Sequence, residues 1–152
     1  MIQMTNVSKI YSNGSAALDD ITVTIEKVDF VFVVGPSGAG KSTFIKLLFR
    51  EEQPTSGEII VNGRHVASMK TTDVPYLRRG IGIVFQDFRL LPNKTIFDNI
   101  AFAMEVIEAP RREIQKRVNT VLELVGLRDK ARTLPAQLSG GEQQRVAIAR
   151  AI

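Results

Sequence analysis

Residues 35–42 combine residue types and a spacing that are suited to binding phosphate groups. They match the pattern in which a glycine and four further residues precede Gly-Lys-Ser/Thr. Glycines allow successive backbone N–H groups to point into one concavity, and a helix that follows adds roughly half a positive charge at its N-terminus. This segment, the phosphate loop, consists of Gly35, Pro36, Ser37, Gly38, Ala39, Gly40, Lys41 and Ser42.

The phosphate loop predicts a site for a nucleoside triphosphate with Mg²⁺. Lys41 carries the charge that reaches the β- and γ-phosphates, and the hydroxyl of Ser42 completes a Mg²⁺ shell otherwise built from water and phosphate. The loop alone does not choose the base. Asn93-Lys94 begins the guanine-binding pattern Asn-Lys-x-Asp, but Ile96 stands where the aspartate is needed. An apolar side chain cannot accept the guanine N–H groups, so no guanine site is predicted.

A second glycine motif, Leu138-Ser139-Gly140-Gly141-Glu142-Gln143, predicts the start of another helix. Ser139 is suited to the N-cap and Glu142 to the third helical position, which together form a capping box. The two glycines allow backbone to come close to whatever lies at the positive end of the helix. Taken alone, this motif indicates no more than a well-capped helix.

Buried strands are expected to position these motifs. Residues 30–34 and 81–85 are almost continuously apolar, which is typical of strands covered on both faces in a parallel sheet. The first strand leads into the phosphate loop, and a helix from 43 to about 49 is expected to leave it.

The first half of the chain also carries signals of antiparallel sheet. Residues 1–7 alternate loosely, and residues 21–25 alternate between apolar and polar side chains, which predicts a strand with one solvated face. Asn62-Gly63 separates two further β-type runs, 59–61 and 64–66. This dipeptide is a strong hairpin signal because both turn residues need positive φ.

The second half is predicted to be helical. Thr95 and Asp98 have the spacing of a helix cap, Pro110 is suited to the first position of a second helix, and Gly126 to its end. The basic residues between 111 and 117 are expected to form a solvated helix face. No aromatic residues are interleaved with them to stack on bases, so a nucleic-acid partner is not predicted.

Composition and charge exclude some classes of protein but do not identify one. With 152 residues, 44% of them hydrophobic and 24% charged, the chain fits one ordinary domain or a large piece of one. The absence of cysteine excludes a disulfide scaffold and thiolate metal sites. A net charge of +4 does not discriminate between nucleic acid, an anionic membrane and a nucleotide.

Four features in this order resemble the ATP-binding-cassette (ABC) ATPases over essentially the whole chain: Tyr11, the phosphate loop, Gln86 and the motif at 138–143. The resemblance implies that Tyr11 stacks on adenine and that Gln86 approaches Mg²⁺ and the attacking water. It assigns catalytic roles to Lys41, Gln86 and Ser139, and metal contacts to Ser42 and Gln86. The implied nucleotide contacts are Tyr11, the eight residues of the phosphate loop, Thr43, Ser139, Gly140, Gly141 and Glu142.

The family also implies an architecture and partners. The expected fold is an α/β P-loop NTPase with an antiparallel β-subdomain and a helical subdomain. Residues 1–86 would form the nucleotide-binding core with the β-subdomain, 87–138 the helical subdomain, and 139–152 the signature motif with the start of its helix. Two ATPase domains would form a homodimer with ATP and Mg²⁺ at the interface. An integral-membrane subunit would hold the dimer peripherally at the cytoplasmic face of the cell membrane. Because Phe88, Leu90 and Leu91 are apolar residues in an expected loop, residues 87–92 and the helix after them are predicted to contact this subunit.

Residues 34–48, 84–92 and 138–151 look like a bacterial cell-division branch of the family. ATPases of lipoprotein-releasing or macrolide-exporting systems are the alternative. A soluble ABC-type ATPase acting on nucleic acid belongs to a different class, in which coiled coils or zinc modules separate the two glycine motifs. This chain has no sustained heptads and no cysteine between them.

In the family, the Walker B aspartate, the catalytic glutamate and the switch histidine follow the signature helix, and no position up to Ile152 matches them. The resemblance therefore implies a chain truncated before Walker B, catalytically inactive and marginally stable by itself. His65, the single histidine, is expected at the surface. Val28 stands where the family usually has glycine, and it would be strained if that position required positive φ.

Overall fold

A computed structural model describes all 152 residues, which divide into two compact units, Met1–Gly80 and Ile81–Ile152. The first unit contains one four-stranded antiparallel sheet of order β2-β1-β3-β4. The strands are β1 (Ile2–Ile10), β2 (Ala16–Ile25), β3 (Ser56–Val61) and β4 (Arg64–His65). Two helices, α1 (Lys41–Leu48) and α2 (Val74–Arg78), and a 3₁₀ turn, Thr71–Asp73, complete the unit.

The sheet confirms the antiparallel part of the prediction. Met4 of the central strand faces Val23 in β2 and Ile59 in β3, and both Met4 and Ile59 are buried. The alternation in β2 leaves Thr22 and Thr24 exposed, as a strand with one solvated face requires. At the hairpin between β3 and β4, Asn62 and Gly63 have φ of 50° and 78°. Positive φ at both positions is the conformation for which the dipeptide is selected.

The two expected parallel strands are not formed. Residues 30–34 and 81–85 lie outside any strand, and Phe30 and Val34 are 84% and 85% exposed. A strand requires a hydrogen-bonded neighbour, and all four strands of the sheet pair only with one another. An apolar sequence therefore does not become a strand without an adjacent pairing edge. Val28 does not have positive φ, so it carries no left-handed strain.

The second unit is helical, with α3 (Ile96–Glu105), α4 (Arg111–Leu124) and α5 (Gly140–Ala151) as its main elements. Two 3₁₀ turns, Arg128–Lys130 and Pro135–Gln137, connect α4 to α5. Apolar faces of the three helices share one core. Its fully or nearly fully buried members include Ile96, Ile100, Val118, Leu122, Leu127, Leu138 and Val146.

The predicted helix ends are largely confirmed. The Thr95 side chain accepts a hydrogen bond from the Asp98 amide at the start of α3, and Gly126 has φ of 68° directly after α4. Pro110 is a cap and not the first helical residue, since its carbonyl accepts the amides of Glu113 and Ile114. His65 is exposed and pairs with Glu58. None of the helices is both long and apolar enough to cross a lipid bilayer.

Candidate nucleotide-binding site

The phosphate loop leads directly into α1. Gly40 is the N-cap of this helix and has φ of 81°. A Cβ at this position would lie 2.1 Å from the carbonyl oxygen of Ala17 in β2, so the helix end approaches the sheet as closely as glycine permits. The helix is fixed on its other side by burial of Phe44, Leu47 and Leu48. The exposed phosphate loop is therefore followed by a helix whose N-terminus is packed against the sheet.

Several amides of this loop are available to a ligand. The N–H groups of Gly38, Gly40, Lys41 and Ser42 donate to no acceptor of the protein, and the Ser42 hydroxyl has no protein partner either. Free amides at a helix N-terminus attract anions, and one hydroxyl oxygen can enter the shell of a hard cation that phosphate and water otherwise complete. The residues present therefore fit a phosphate group accompanied by Mg²⁺.

Lys41 lies over the same loop. Its Nζ donates to the carbonyl oxygens of Gly35 at 2.7 Å and Pro36 at 2.6 Å. These bonds hold the ammonium group at the first two residues of the loop. The loop therefore presents one full positive charge together with the partial charge of the helix end.

Tyr11 follows β1 and belongs to the same unit as the phosphate loop. Its hydroxyl lies 3.1 Å from Thr43 Oγ1, and Thr43 is buried in the first turn of α1. The ammonium group of Lys9 lies 5.0 Å from the centroid of the Tyr11 ring. The predicted adenine-stacking ring is thus joined to α1, the helix that follows the phosphate loop, by a side-chain hydrogen bond.

The signature motif, residues 138–143, begins α5 as predicted. Ser139 is the N-cap, and Glu142 completes the capping box by accepting the Ser139 amide at 2.8 Å and its hydroxyl at 2.9 Å. Gly140 and Gly141 both leave open space, since a Cβ at either position would meet no atom within 4 Å. The fold of this chain does not require glycine there, and the open space leaves room for another molecule to approach the start of α5.

Glu142 is held by more than its cap. Lys130 Nζ donates to the second carboxylate oxygen at 2.9 Å. This bond and the two from Ser139 lower the pKa of Glu142 to about 2. The same pair raises the pKa of Lys130 above its ordinary value. The Glu142 carboxylate is therefore ionised at physiological pH, and the Lys130 ammonium group compensates its charge.

Gln86 is exposed and belongs to the second unit, as does the signature motif. Two and three residues beyond it, Phe88 and Arg89 have left-handed φ of 57° and 45°, a conformation that is energetically unfavourable for residues other than glycine. Arg150 of α5 holds this bend, because its guanidinium donates to the carbonyl oxygens of both residues at 2.7 Å. No residue pattern in the sequence predicts this contact.

A buried side-chain amide, that of Asn99, bonds to the backbone of the segment after this bend. Asn99 of α3 is 0% exposed, accepts the Leu91 amide at 2.7 Å, and donates to the carbonyl oxygens of Leu91, Lys94 and Thr95. The sequence feature that could have predicted this role is a single polar residue, Asn99, on the apolar face of α3. In the segment 87–92, which is predicted to contact a membrane subunit, Leu90 packs against the helical core, and Phe88 and Leu91 are half-buried.

Comparison with known proteins defines the class. A family profile described as ABC transporter matches residues 18–152. The chain therefore belongs to the ABC transporter family, and its fold is that of the family's ATP-binding cassettes.

Individual relatives narrow this assignment. The chain is 59% identical to the cell division ATP-binding protein FtsE of Bacillus subtilis, an alignment that covers 100% of this chain and 67% of that protein. It is 57% identical to FtsE of Mycobacterium tuberculosis, covering 99% of this chain and 66% of that protein. It is 45% identical to the methionine import ATP-binding protein MetN of Helicobacter pylori strain J99, covering 100% of this chain and 46% of that protein.

Among solved structures, the chain resembles the ATP-binding cassette MJ0796, described as a dimer in a post-hydrolysis state bound to ADP and Pi. The TM-score is 0.90 at 35% identity, and the match covers 100% of this chain and 69% of that one. The chain spans about two thirds of the length of the FtsE proteins that it matches.

Proposed function

We propose that the polypeptide carrying this sequence binds and hydrolyses ATP as the nucleotide-binding subunit of a bacterial ABC system. The observation that carries the proposal is the phosphate loop, which combines free amides at the start of α1 with the Lys41 ammonium held on the carbonyl oxygens of Gly35 and Pro36. Backbone donors and one cation at a helix N-terminus suit the β- and γ-phosphates of a nucleotide. Ser42 and Gln86 are the proposed contacts to Mg²⁺, and Tyr11 is the proposed platform for adenine.

Each group of residues has a proposed role in ATP binding or hydrolysis. The loop residues 35–42 with Thr43 orient the triphosphate, and Lys41 compensates the charge that develops on it during hydrolysis. Gln86 positions the attacking water. We propose 1–86 as the nucleotide-binding core with its β-subdomain, 87–138 as the helical subdomain, and 139–152 as the signature element.

We further propose a homodimer in which each signature motif completes the ATP site of the other subunit. Ser139, Gly140 and Gly141 then face the γ-phosphate held by the partner's phosphate loop, and Glu142, the remaining predicted contact, caps this helix end through Ser139. The open space at both glycines supports this arrangement, because a nucleotide can approach the start of α5 closely. The dimeric solved relative MJ0796 supports it as well.

For the membrane partner we propose an FtsX-like integral-membrane subunit and a role in cell division. Support comes from the FtsE relatives at 54–59% identity. The proposed contact is the bend after Gln86, where Phe88 and Leu91 are only half-buried. The subunit would then lie at the cytoplasmic face of the membrane, where ATP is available. The MetN relatives at 45% identity favour a second candidate, coupling to an import system.

The central test compares ATP binding of the natural full-length polypeptide with that of its Lys41→Ala variant by calorimetry. Loss of a charge-assisted contact worth about 1.5–3 kcal/mol should weaken ATP at least tenfold and abolish turnover. Lys46→Ala, which removes a cation from the same helix, is the matched control and should leave affinity unchanged. Equal ATP affinity in the Lys41→Ala and wild-type proteins would overturn the assignment.

A second experiment separates the two membrane partners. Phe88→Glu together with Leu91→Glu should break co-purification with the cognate membrane subunit and leave ATP affinity intact. Co-expression with an FtsX-type and an import-type membrane subunit from the same genome identifies which one the wild-type protein retains. Retention of the complex by the double variant would refute the proposed contact.

A further inference from the structure

The signature motif contains an electrostatic conflict. Glu142 lies one residue after Gly141, in the first turn of α5. A phosphate group at this helix end, as in the proposed dimer, would approach a carboxylate that is ionised at every physiological pH. Two like charges a few ångströms apart at a partly shielded surface oppose association.

Lys130 removes this conflict. Its Nζ lies 2.9 Å from Glu142 Oε1, while the other carboxylate oxygen, Oε2, takes both bonds from Ser139. The carboxylate is thus fixed by three donors and cannot rotate toward the open space beside the glycines without losing them. Lys130 compensates the charge and also fixes its direction.

The position of Lys130 is itself well determined. Its carbonyl accepts the Thr133 amide at 3.0 Å and the Thr133 hydroxyl at 2.7 Å, and its amide donates to buried Leu127 at 3.1 Å. The neighbouring Ala131 carbonyl accepts the amide of Phe97 in α3. The other charges that act on Lys130 are Asp129 and Arg145, one of each sign, so the balance at this helix end depends on the pair itself.

We propose that Lys130 is a positioning residue for the ATP-bound dimer, which neutralises and orients Glu142 so that the start of α5 accepts the γ-phosphate of the opposite subunit. The proposal rests on the cross-dimer site described above. It predicts that removing Lys130 weakens dimer formation with ATP but does not weaken ATP binding to the phosphate loop of one subunit.

The test is a charge cycle in the natural full-length polypeptide. Wild type, Lys130→Ala, Glu142→Gln and the double variant are compared for monomer affinity by calorimetry and for dimer formation with a non-hydrolysable ATP analogue by sedimentation. Glutamine keeps the capping box and removes only the charge. Arg132→Ala, which deletes an exposed cation from the same connection, is the matched control.

Lys130→Ala should weaken the dimer roughly tenfold at low salt, since an uncompensated charge a few ångströms away acts with this strength. The loss should shrink at high salt. Glu142→Gln should form the dimer at least as well as wild type, and the double variant should recover it. Monomer affinity should be equal in all four proteins, and Arg132→Ala should behave as wild type.

Two results would overturn the proposal. If Lys130→Ala dimerises normally, the lysine has no such role. If the double variant remains as weak as Lys130→Ala, the lysine acts directly on the nucleotide or on folding and not through Glu142. A failure of the cross-dimer site itself is distinguishable, because wild type and Glu142→Gln would then both stay monomeric with the analogue.

Discussion

The hydroxyl of Tyr11 and the hydroxyl of Thr43 lie 3.1 Å apart. This bond joins the residue that follows β1 to the first turn of α1, so the ring proposed for adenine and the helix proposed for phosphate are held in one geometry. A nucleotide that binds there meets a preformed distance between its two recognition elements, and less ordering is needed on binding.

This relationship yields a prediction about Tyr11. Tyr11→Phe keeps the ring and loses the bond to Thr43, whereas Tyr11→Ala loses both. We expect Tyr11→Phe to change ATP affinity less than threefold and Tyr11→Ala to weaken it about tenfold, because base–aromatic stacking contributes about 1–3 kcal/mol. Titration calorimetry with ATP and with GTP measures both effects. Similar losses for the two nucleotides are expected, since stacking does not distinguish bases, and an unaffected Tyr11→Ala protein would exclude the stacking role.

A second prediction concerns Gly141. Gly141→Asp should leave the fold intact, since no atom lies within 4 Å of the added Cβ and an acidic residue in the first turn of a helix is favourable by about 0.3–1 kcal/mol. ATP should still bind to the phosphate loop of each monomer. Dimer formation with ATP and turnover should be lost, because a new carboxylate faces the incoming γ-phosphate.

The matched variant for this test is Gly141→Ala, which adds the Cβ without the charge and should retain substantially more activity. The measurements are thermal unfolding, calorimetry and steady-state ATPase activity of the natural full-length protein. Wild-type turnover in Gly141→Asp would show that the signature motif has no cross-dimer role.

Local features of the fold were predictable from the sequence. The hairpin at Asn62-Gly63 and the caps at Thr95 and Ser139 each depend on residues within four positions of one another. Backbone conformation and short hydrogen bonds decide them, so residue type is sufficient. The phosphate loop belongs to the same group, because its glycines serve one turn and one helix end.

Features that depend on distant partners were not predictable. The apolar run at 30–34 indicates that a strand there would be covered on both faces, but it does not indicate whether another strand is available to pair with it. In this structure no strand pairs with residues 30–34. The contact between Arg150 and Phe88 joins residues 62 positions apart, and neither residue type predicts it. The Lys130–Glu142 pair likewise emerges only from the path of the connection between α4 and α5.

A third prediction concerns pH. The folded pKa of Glu142 is about 2, below the ordinary value of 4.5. Between these values the unfolded chain binds more protons, so the contribution of Glu142 to stability is complete above about pH 4.5 and is lost as the pH falls toward 2. Urea unfolding of wild type and Glu142→Gln between pH 2.5 and 5.5 measures this. The wild-type free energy of unfolding should fall more steeply with decreasing pH, and parallel curves would contradict the depressed pKa.

The last prediction concerns the bend after Gln86. The Arg150 guanidinium satisfies the carbonyl oxygens of Phe88 and Arg89, which both adopt left-handed φ. Arg150→Ala removes two charge-assisted bonds and leaves this conformation unsupported, so the free energy of unfolding should fall by about 2–3 kcal/mol. Arg150→Lys keeps the charge but cannot reach two acceptors with one planar group, and an intermediate loss is expected.

Hydrogen exchange locates this effect within the chain. In Arg150→Ala the amides of residues 86–91 should exchange faster, while the hairpin at Asn62-Gly63 should be unchanged because it belongs to the other unit. Gln144→Ala changes an exposed residue of the same helix and serves as the control. Unchanged exchange at 86–91 in Arg150→Ala would mean that Asn99, through its bonds to the Leu91 backbone, is sufficient to hold the segment. Arg150 would then have no part in placing Gln86.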